Sequence, residues 1–389
     1  MNRNPYIENE VYVSGLDGYH TYRIPSLLVT KAGTLLAFCE GRKRSAADLG
    51  DVDLMVKRSS DNGATWSPQQ IVHKEGGDDE ITIGNPCPVV DQDTGVLWMP
   101  FCRNNKQAFV IFSADDGLTW SAPREIDPSA SGVERGHYAT GPGVGIQLTT
   151  GKHKGRLVIP CDHRNGEDRS QGYAAHVLYS DDHGETWARR DVSGPGANEC
   201  QVVELADGSL MLNLRMQAHY QGCRAVAISR DGGETWGPLA HERNLPCPIC
   251  QASFIRYSWA AAGGRSRLLF NNPASAGDAS SGDRRKYRGE RVKMTVRLSY
   301  DEGTTWPIAG LIHQGPSAYS SLAALPNGEI GLLYEKGADS PYETLSFARF
   351  SLEWLTDGMD SAAEGAGRGP VPLPACVDVF AISGSTTAP

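Results

Sequence analysis

The chain has 389 residues and carries 46 acidic against 37 basic side chains, a formal net charge of −9 that disfavours nucleic-acid phosphates and anionic membrane surfaces as partners. A 40% hydrophobic content with 44 Gly and 23 Pro describes a globular chain of many short strands and tight turns, and excludes disorder over most of its length. Nowhere do about 18 apolar residues run together, which excludes a membrane-spanning helix.

The first predicted element is a strand from Tyr6 to Ser14. The residues before it, Met-Asn-Arg-Asn-Pro, and the strand itself lack the apolar core of a secretory signal, so a cytoplasmic location is expected. Five strand-like runs follow, at Val52–Arg58, Ala108–Phe112, Ala174–Tyr179, Arg224–Ile228 and Met294–Leu298. Each runs into the same eight-residue pattern, Ser-x-Asp-x-Gly-x-Thr-Trp, which starts at Ser59, Ser113, Ser180, Ser229 and Ser299. In this pattern Gly suits a turn with positive φ, the Asp carboxylate accepts amide hydrogen bonds inside the loop, and the Trp packs beneath the hairpin. The motif is structural and carries no chemistry of its own.

Successive copies are 54, 67, 49 and 70 residues apart. A repeat of about 60 residues suits one four-stranded blade, and the expected fold is an all-β, six-bladed β-propeller spanning residues 1–355. Closing such a ring removes sheet edges, so Tyr6–Ser14 is expected beside Thr344–Leu352. Beyond Leu355 the composition turns to Gly, Ala, Ser and Pro, and residues 356–389 are expected to form a flexible tail. Nine cysteines, mostly inside apolar runs, are expected as buried thiols. Cys247-Pro-Ile-Cys250 has half the spacing of a zinc site but no second pair, so neither a metal nor a cofactor is expected.

The five boxes, with Tyr22-Arg23-Ile24-Pro25 ahead of the first, resemble the sialidases, the exo-α-neuraminidases of glycoside hydrolase family 33. Further segments are similar to this family in the same order: Phe38-Cys-Glu40-Gly-Arg42, Asp48-Leu-Gly50-Asp51, Asn85-Pro-Cys-Pro88, Asn198-Glu199, Asn213-Leu-Arg215, Arg291-Val-Lys-Met294, Ala318-Tyr319-Ser320 and Leu333-Tyr334-Glu335. The family often has Asp after the Tyr-Ser step, where this chain has Ser321. The resemblance implies a sialylated glycan as substrate. It also implies Arg23, Arg215 and Arg291 as a three-arginine clamp on the sugar carboxylate, whose planar charge a guanidinium grips with paired hydrogen bonds.

That carboxylate sits on the reacting carbon, so an attacking Asp or Glu would meet a like charge, roughly 4 kcal/mol at 4 Å with an effective dielectric constant of about 20. A neutral phenol avoids the repulsion. By the resemblance Tyr319 is the nucleophile, Glu199 the base that takes its proton and Asp48 the general acid and base. Glu335 is expected to hold a clamp arginine, Arg23 first, while Glu40, Arg42 and Asn85 are candidates for the pocket wall. Arg288 stays open as a rival to Arg291, and Asp51 and Asp53 as rivals to Asp48. Alternatives at the level of function are an inactive sialic-acid-binding propeller, a trans-sialidase, or an enzyme preferring a deaminated sialic acid. Oligomeric state is not legible.

Overall fold

The computed structural model describes residues 6–77, 79–126, 135–166, 172–192, 194–260 and 264–362. Nearly all regular structure is strand, with two short helices at Arg284–Arg288 and Leu352–Leu355. Among the described residues no helix is long and apolar enough to cross a membrane.

Five antiparallel sheets follow one another along the chain. The first contains Thr21–Val29, Leu35–Arg42, Val52–Ser59 and Gln70–His73. The second is built on Ile83–Gly84, Leu97–Arg103 and Gln107–Ser113, the third on Arg135–Thr140, Leu157–Asn165 and Tyr173–Ser180, and the fourth on Ala197–Glu204, Leu210–Met216 and Cys223–Ser229. The fifth is a single sheet of seven strands in the order Ile7–Val13, Thr344–Phe350, Ile330–Lys336, Ile308–Ala324, Val292–Ser299, Arg267–Pro273 and Ser253–Ser258.

The expected six-bladed propeller is therefore corrected to four sheets arranged in a ring, completed by one curled half-barrel sheet. The cause is the 17-residue strand Ile308–Ala324. Its first half pairs with Val292–Ser299, up to Val292 opposite Pro316, and its second half pairs with Ile330–Lys336, starting at Ser317 opposite Lys336. The backbone changes partner at Pro316 and Ser317 without ending, so two repeat lengths share one strand and one sheet.

The core lies between sheets and passes around the ring. Phe38 and Val56 of the first sheet meet Met99 and Phe101 of the second, Trp98 of the second meets Ile159 and Leu178 of the third, and Val177 of the third meets Leu212 and Leu214 of the fourth. Val203 continues onto Phe254 and Phe270, and Leu333 with Phe347 returns to Leu27 and Leu35. Because both faces are covered, an inner strand such as Leu35–Arg42 is buried at every position, whereas the outer strand Gln70–His73 is not. The N-terminal strand closes the ring as expected, with Ile7 opposite Arg349 and Val13 opposite Thr344.

All five boxes have one geometry. In the first, the Ser59 hydroxyl donates to Asp61 and accepts the Gly63 amide, and Asp61 accepts both the amide and the hydroxyl of Thr65. Trp306 meets Phe254 and Phe270 of its own sheet, but three of the box Trp side chains reach further. Trp66, Trp120 and Trp187 reach Phe347, Phe38 and Trp98, each on the preceding sheet, with ring centroids 5.3, 5.8 and 6.5 Å apart. The box thus locks one sheet to the next.

Past Leu355 the described chain continues to Ala362, fastened by an ion pair between Asp360 and Arg267, neither of which is exposed. The rest of the expected tail, from residue 363, lies outside the described residues. The eight cysteines among the described residues are buried and unpaired.

Candidate active site

The candidate residues come from different sheets and from the loops between strands. Arg23 and Glu199 are each the third residue of the first strand of their sheet, Thr21–Val29 and Ala197–Glu204, while Tyr319 lies where Ile308–Ala324 turns to its second partner. The centre of the site is a three-residue contact. The Tyr319 hydroxyl donates to Glu199 Oε1, Arg215 Nη1 donates to Glu199 Oε2, and the same Nη1 lies 3.0 Å from the Tyr319 hydroxyl. Arg215 also donates to Gln217 at 3.0 Å.

Burial pushes the Tyr319 phenol well above its ordinary range, and the adjacent Glu199 carboxylate adds to this against the opposing pull of Arg215 and Arg291. At neutral pH the phenol is protonated, with a carboxylate in place to receive its proton.

Glu335, fully buried, holds the second part together. Its Oε1 accepts from Arg23 Nε at 3.0 Å and from the Ile24 amide at 3.0 Å, and its Oε2 accepts from Arg23 Nη2 at 3.3 Å and from the Tyr319 amide at 2.9 Å. One carboxylate therefore ties the Arg23 guanidinium to the backbone of Tyr319. Ile24 has φ +59°, an unfavourable conformation for a β-branched residue, and the bond from its amide to Glu335 helps to hold it. Arg23 lies over the Tyr342 ring at 4.1 Å, and Arg291 Nη1 donates to the Tyr342 hydroxyl at 3.2 Å. Tyr342 comes from a segment with no motif, following Pro341, and nothing in the sequence marks it.

Arg291 is placed against the Tyr319 ring at 5.5 Å, and among the described residues its hydrogen bonds go to neutral groups, the Tyr342 hydroxyl and the Ile249 carbonyl at 3.1 Å. Arg288 ends the short helix capped by Asp283 and is only partly buried. Burial and the positive charges of Arg215 and Arg291 push its pKa down. The region thus holds more positive charge than its carboxylates neutralise, which suits an anionic ligand.

Asp48 projects from the loop after Leu35–Arg42 with its side chain 75% exposed, 3.0 Å from Arg42 Nη1 and 3.5 Å from Arg23 Nη1. Partial desolvation raises its pKa, but Arg42 and Arg23 outweigh that and hold it below the usual carboxylate value. Its rivals are engaged elsewhere, Asp51 with Lys43 and Asp53 with Lys43 and the Tyr19 hydroxyl. Glu40 and Arg42 form a buried ion pair at 2.6 Å; Glu40 also accepts the Asn85 amide at 2.9 Å, and the Asn85 side chain donates to Asn105 at 2.7 Å. These three residues brace the wall on which Asp48 rests.

With this geometry in view, the comparisons are consistent. The BNR repeat-like domain family matches residues 33–332. A sialidase of Micromonospora viridifaciens is 36% identical over 377 residues, covering 90% of this chain and 54% of that protein, so the chain spans about half the length of this relative. An exo-alpha-sialidase of Aspergillus fumigatus is 31% identical over 88% of this chain and 86% of its own length. Among solved structures, the Hadza microbial sialidase Hz136 superposes with a TM-score of 0.76 at 30% identity, covering 90% of this chain and 69% of that one. Fold and boxes together define a propeller-like BNR-repeat protein. The chain belongs to the sialidase family of glycoside hydrolases.

Proposed function

We propose that this chain is an exo-α-sialidase that hydrolyses terminal α-ketosidically linked sialic acids with retention of configuration, through a tyrosyl-linked intermediate. The observation that carries this reading is the Tyr319–Glu199–Arg215 contact, a protonated phenol bonded to a carboxylate that a guanidinium orients.

The sugar carboxylate is met by Arg23, Arg215 and Arg291. In the first step the Tyr319 oxygen attacks the anomeric carbon while Glu199 takes the phenolic proton and Asp48 gives a proton to the departing glycosidic oxygen. In the second step Asp48 removes a proton from water, which attacks the same carbon, and the phenolate leaves and recovers its proton from Glu199. Arg215 touches both Tyr319 and Glu199, so the charge moving between them stays paired throughout.

Release of a fluorophore from its α-ketoside of N-acetylneuraminic acid tests the proposal. Turnover is expected in the wild type, with kcat falling on the order of 10²–10⁴-fold in Glu199→Gln and Asp48→Ala and at least as far in Tyr319→Phe. Undiminished turnover in Tyr319→Phe refutes the mechanism, and no turnover by the wild type refutes the activity.

A further inference from the structure

The third sheet carries a residue, beside Glu199 and Arg215, that the mechanism above does not use. His137 is the third residue of Arg135–Thr140, the position that Arg23 and Glu199 hold in the first strands of their own sheets. It shares a sheet face with Asp162 and Arg164, since it pairs with Arg164 and Ala139 pairs with Asp162. That face packs toward the fourth sheet, which carries Glu199 and Arg215, with Ala175 and Val177 against Ala197 and Leu214. The His137 side chain keeps 25% exposure, and its electrostatic neighbours are Glu199, Asp48, Arg164 and Arg215.

Behind it lies a feature that packing alone does not account for. Asp162 is fully buried, and among the described residues neither of its carboxyl oxygens has a hydrogen-bond partner; the imidazole Nε2 of His137 stands 3.7 Å from Oδ1. An unsatisfied buried carboxyl costs about 1–3 kcal/mol and is rarely kept without use. Burial raises the Asp162 pKa well above the carboxylate range and lowers that of His137 to about 4, so both are uncharged at neutral pH. Arg164 fixes the turn of backbone before His137 by donating to the Gly136 carbonyl at 2.8 Å.

We propose that His137 is a specificity-determining residue that hydrogen-bonds an uncharged polar substituent of the sugar, with Asp162 as the positioning residue that sets its ring. This rests on the sialidase reading and extends it. Around the ring the third sheet lies between the Asn85 sheet and the Glu199 sheet, across from the seven-stranded sheet that brings Tyr319 and Arg291. With the carboxylate held on the Tyr319 and Arg291 side, a bound sugar turns its neutral acylamino or hydroxylated chain toward His137. With Nε2 turned to the Asp162 carboxyl, a neutral imidazole leaves Nδ1 to the sugar, a donor or an acceptor according to its tautomer, and no charge for the substrate carboxylate to prefer.

The test compares wild type, His137→Ala, His137→Asn and Asp162→Asn on aryl α-ketosides of three sugars: N-acetylneuraminic acid, its deaminated analogue, and an analogue with a shortened exocyclic chain. Wild-type turnover of the first substrate secures the underlying reading independently of the variants. In His137→Ala, KM for the full sugar is expected to rise about 3- to 10-fold, the worth of one neutral hydrogen bond, with kcat nearly unchanged. One of the two altered sugars loses this penalty, His137→Asn restores part of the discrimination, and Asp162→Asn falls between. If all three substrates change by one common factor, or none changes, the proposal is wrong. His137→Asn keeps a polar side chain of smaller size and serves as the folded comparison should the alanine variant be unstable.

Discussion

Residue by residue, the site is an arrangement of charge around one neutral phenol. Tyr319 is kept protonated by burial and by Glu199, and Asp48 is kept ionised by Arg42 and Arg23. An acid that must donate a proton is therefore not ready in the free protein. A ligand carboxylate arriving at Arg23 adds negative charge beside Asp48 and draws on the same guanidinium, so the Asp48 pKa is expected to rise on binding. Carboxyl-carbon NMR titration with and without a planar dehydro-sialic acid measures this directly. The free protein should titrate at Asp48 below the usual 3.8 and the complex above it, whereas an unmoved or lowered value would contradict the assignment. Arg23 and Tyr319 were legible in the sequence because each stands inside a short motif, and Glu335 because it follows Tyr334 in another. Tyr342, His137 and Asp162 were not, because their parts depend on contacts made across the ring and no local pattern marks them.

At the scale of elements, the box hairpins carry the packing between sheets. Gly63 has φ +80°, and a Cβ there would lie 2.1 Å from Phe347 Cε1, while Gly15 has φ +86° with open space around the same position. Comparing Gly63→Ala with Gly15→Ala separates the backbone cost from the cost of the clash. Gly15→Ala should lose roughly 1–2 kcal/mol, and Gly63→Ala a further 1–3 kcal/mol or so for overpacking, read from urea unfolding. Equal losses would show that the box does not depend on close approach to the preceding sheet. The boxes themselves could be read directly, since their turn chemistry is local. The continuity of Ile308–Ala324 could not, because whether a strand stops or changes partner at Pro316 is decided by the strands beside it. Dividing length by repeat therefore counted blades where the hydrogen bonds make one sheet.

In the molecule as a whole, ring closure brings residues separated by hundreds of positions into one site. Closure is fastened by the pairing of Ile7–Val13 with Thr344–Phe350 and by the buried Arg267–Asp360 pair. Burial raises the Asp360 pKa, but the hydrogen bonds from Arg267 and Tyr300 outweigh it, leaving the carboxyl below its ordinary value. The Asp61 carboxyl is lowered to about 2, first by the Thr65 hydroxyl and then by its amide, and Asp115 is lowered by the matching bonds from Thr119. A carboxyl depressed in the folded state is protonated first in the unfolded chain. Its stabilisation is therefore complete above the unfolded value near 4 and is lost as pH falls through the folded value. Stability should accordingly decline from about pH 4 toward pH 2, and Asp360→Asn should lose about 3–5 kcal/mol at neutral pH, as expected for breaking a buried pair. Denaturant unfolding of both proteins from pH 7 to pH 2 checks both, and a flat profile or an unaffected Asp360→Asn would refute this. The proposed covalent bond between Tyr319 and the sugar can be trapped. The protein is incubated with a fluorinated sialosyl fluoride, whose second fluorine slows breakdown of the intermediate, then digested and analysed by peptide mass spectrometry. One sugar adduct is expected on the peptide containing Tyr319 and none in Tyr319→Phe; an adduct on Glu199 or Asp48 instead would refute the tyrosyl intermediate.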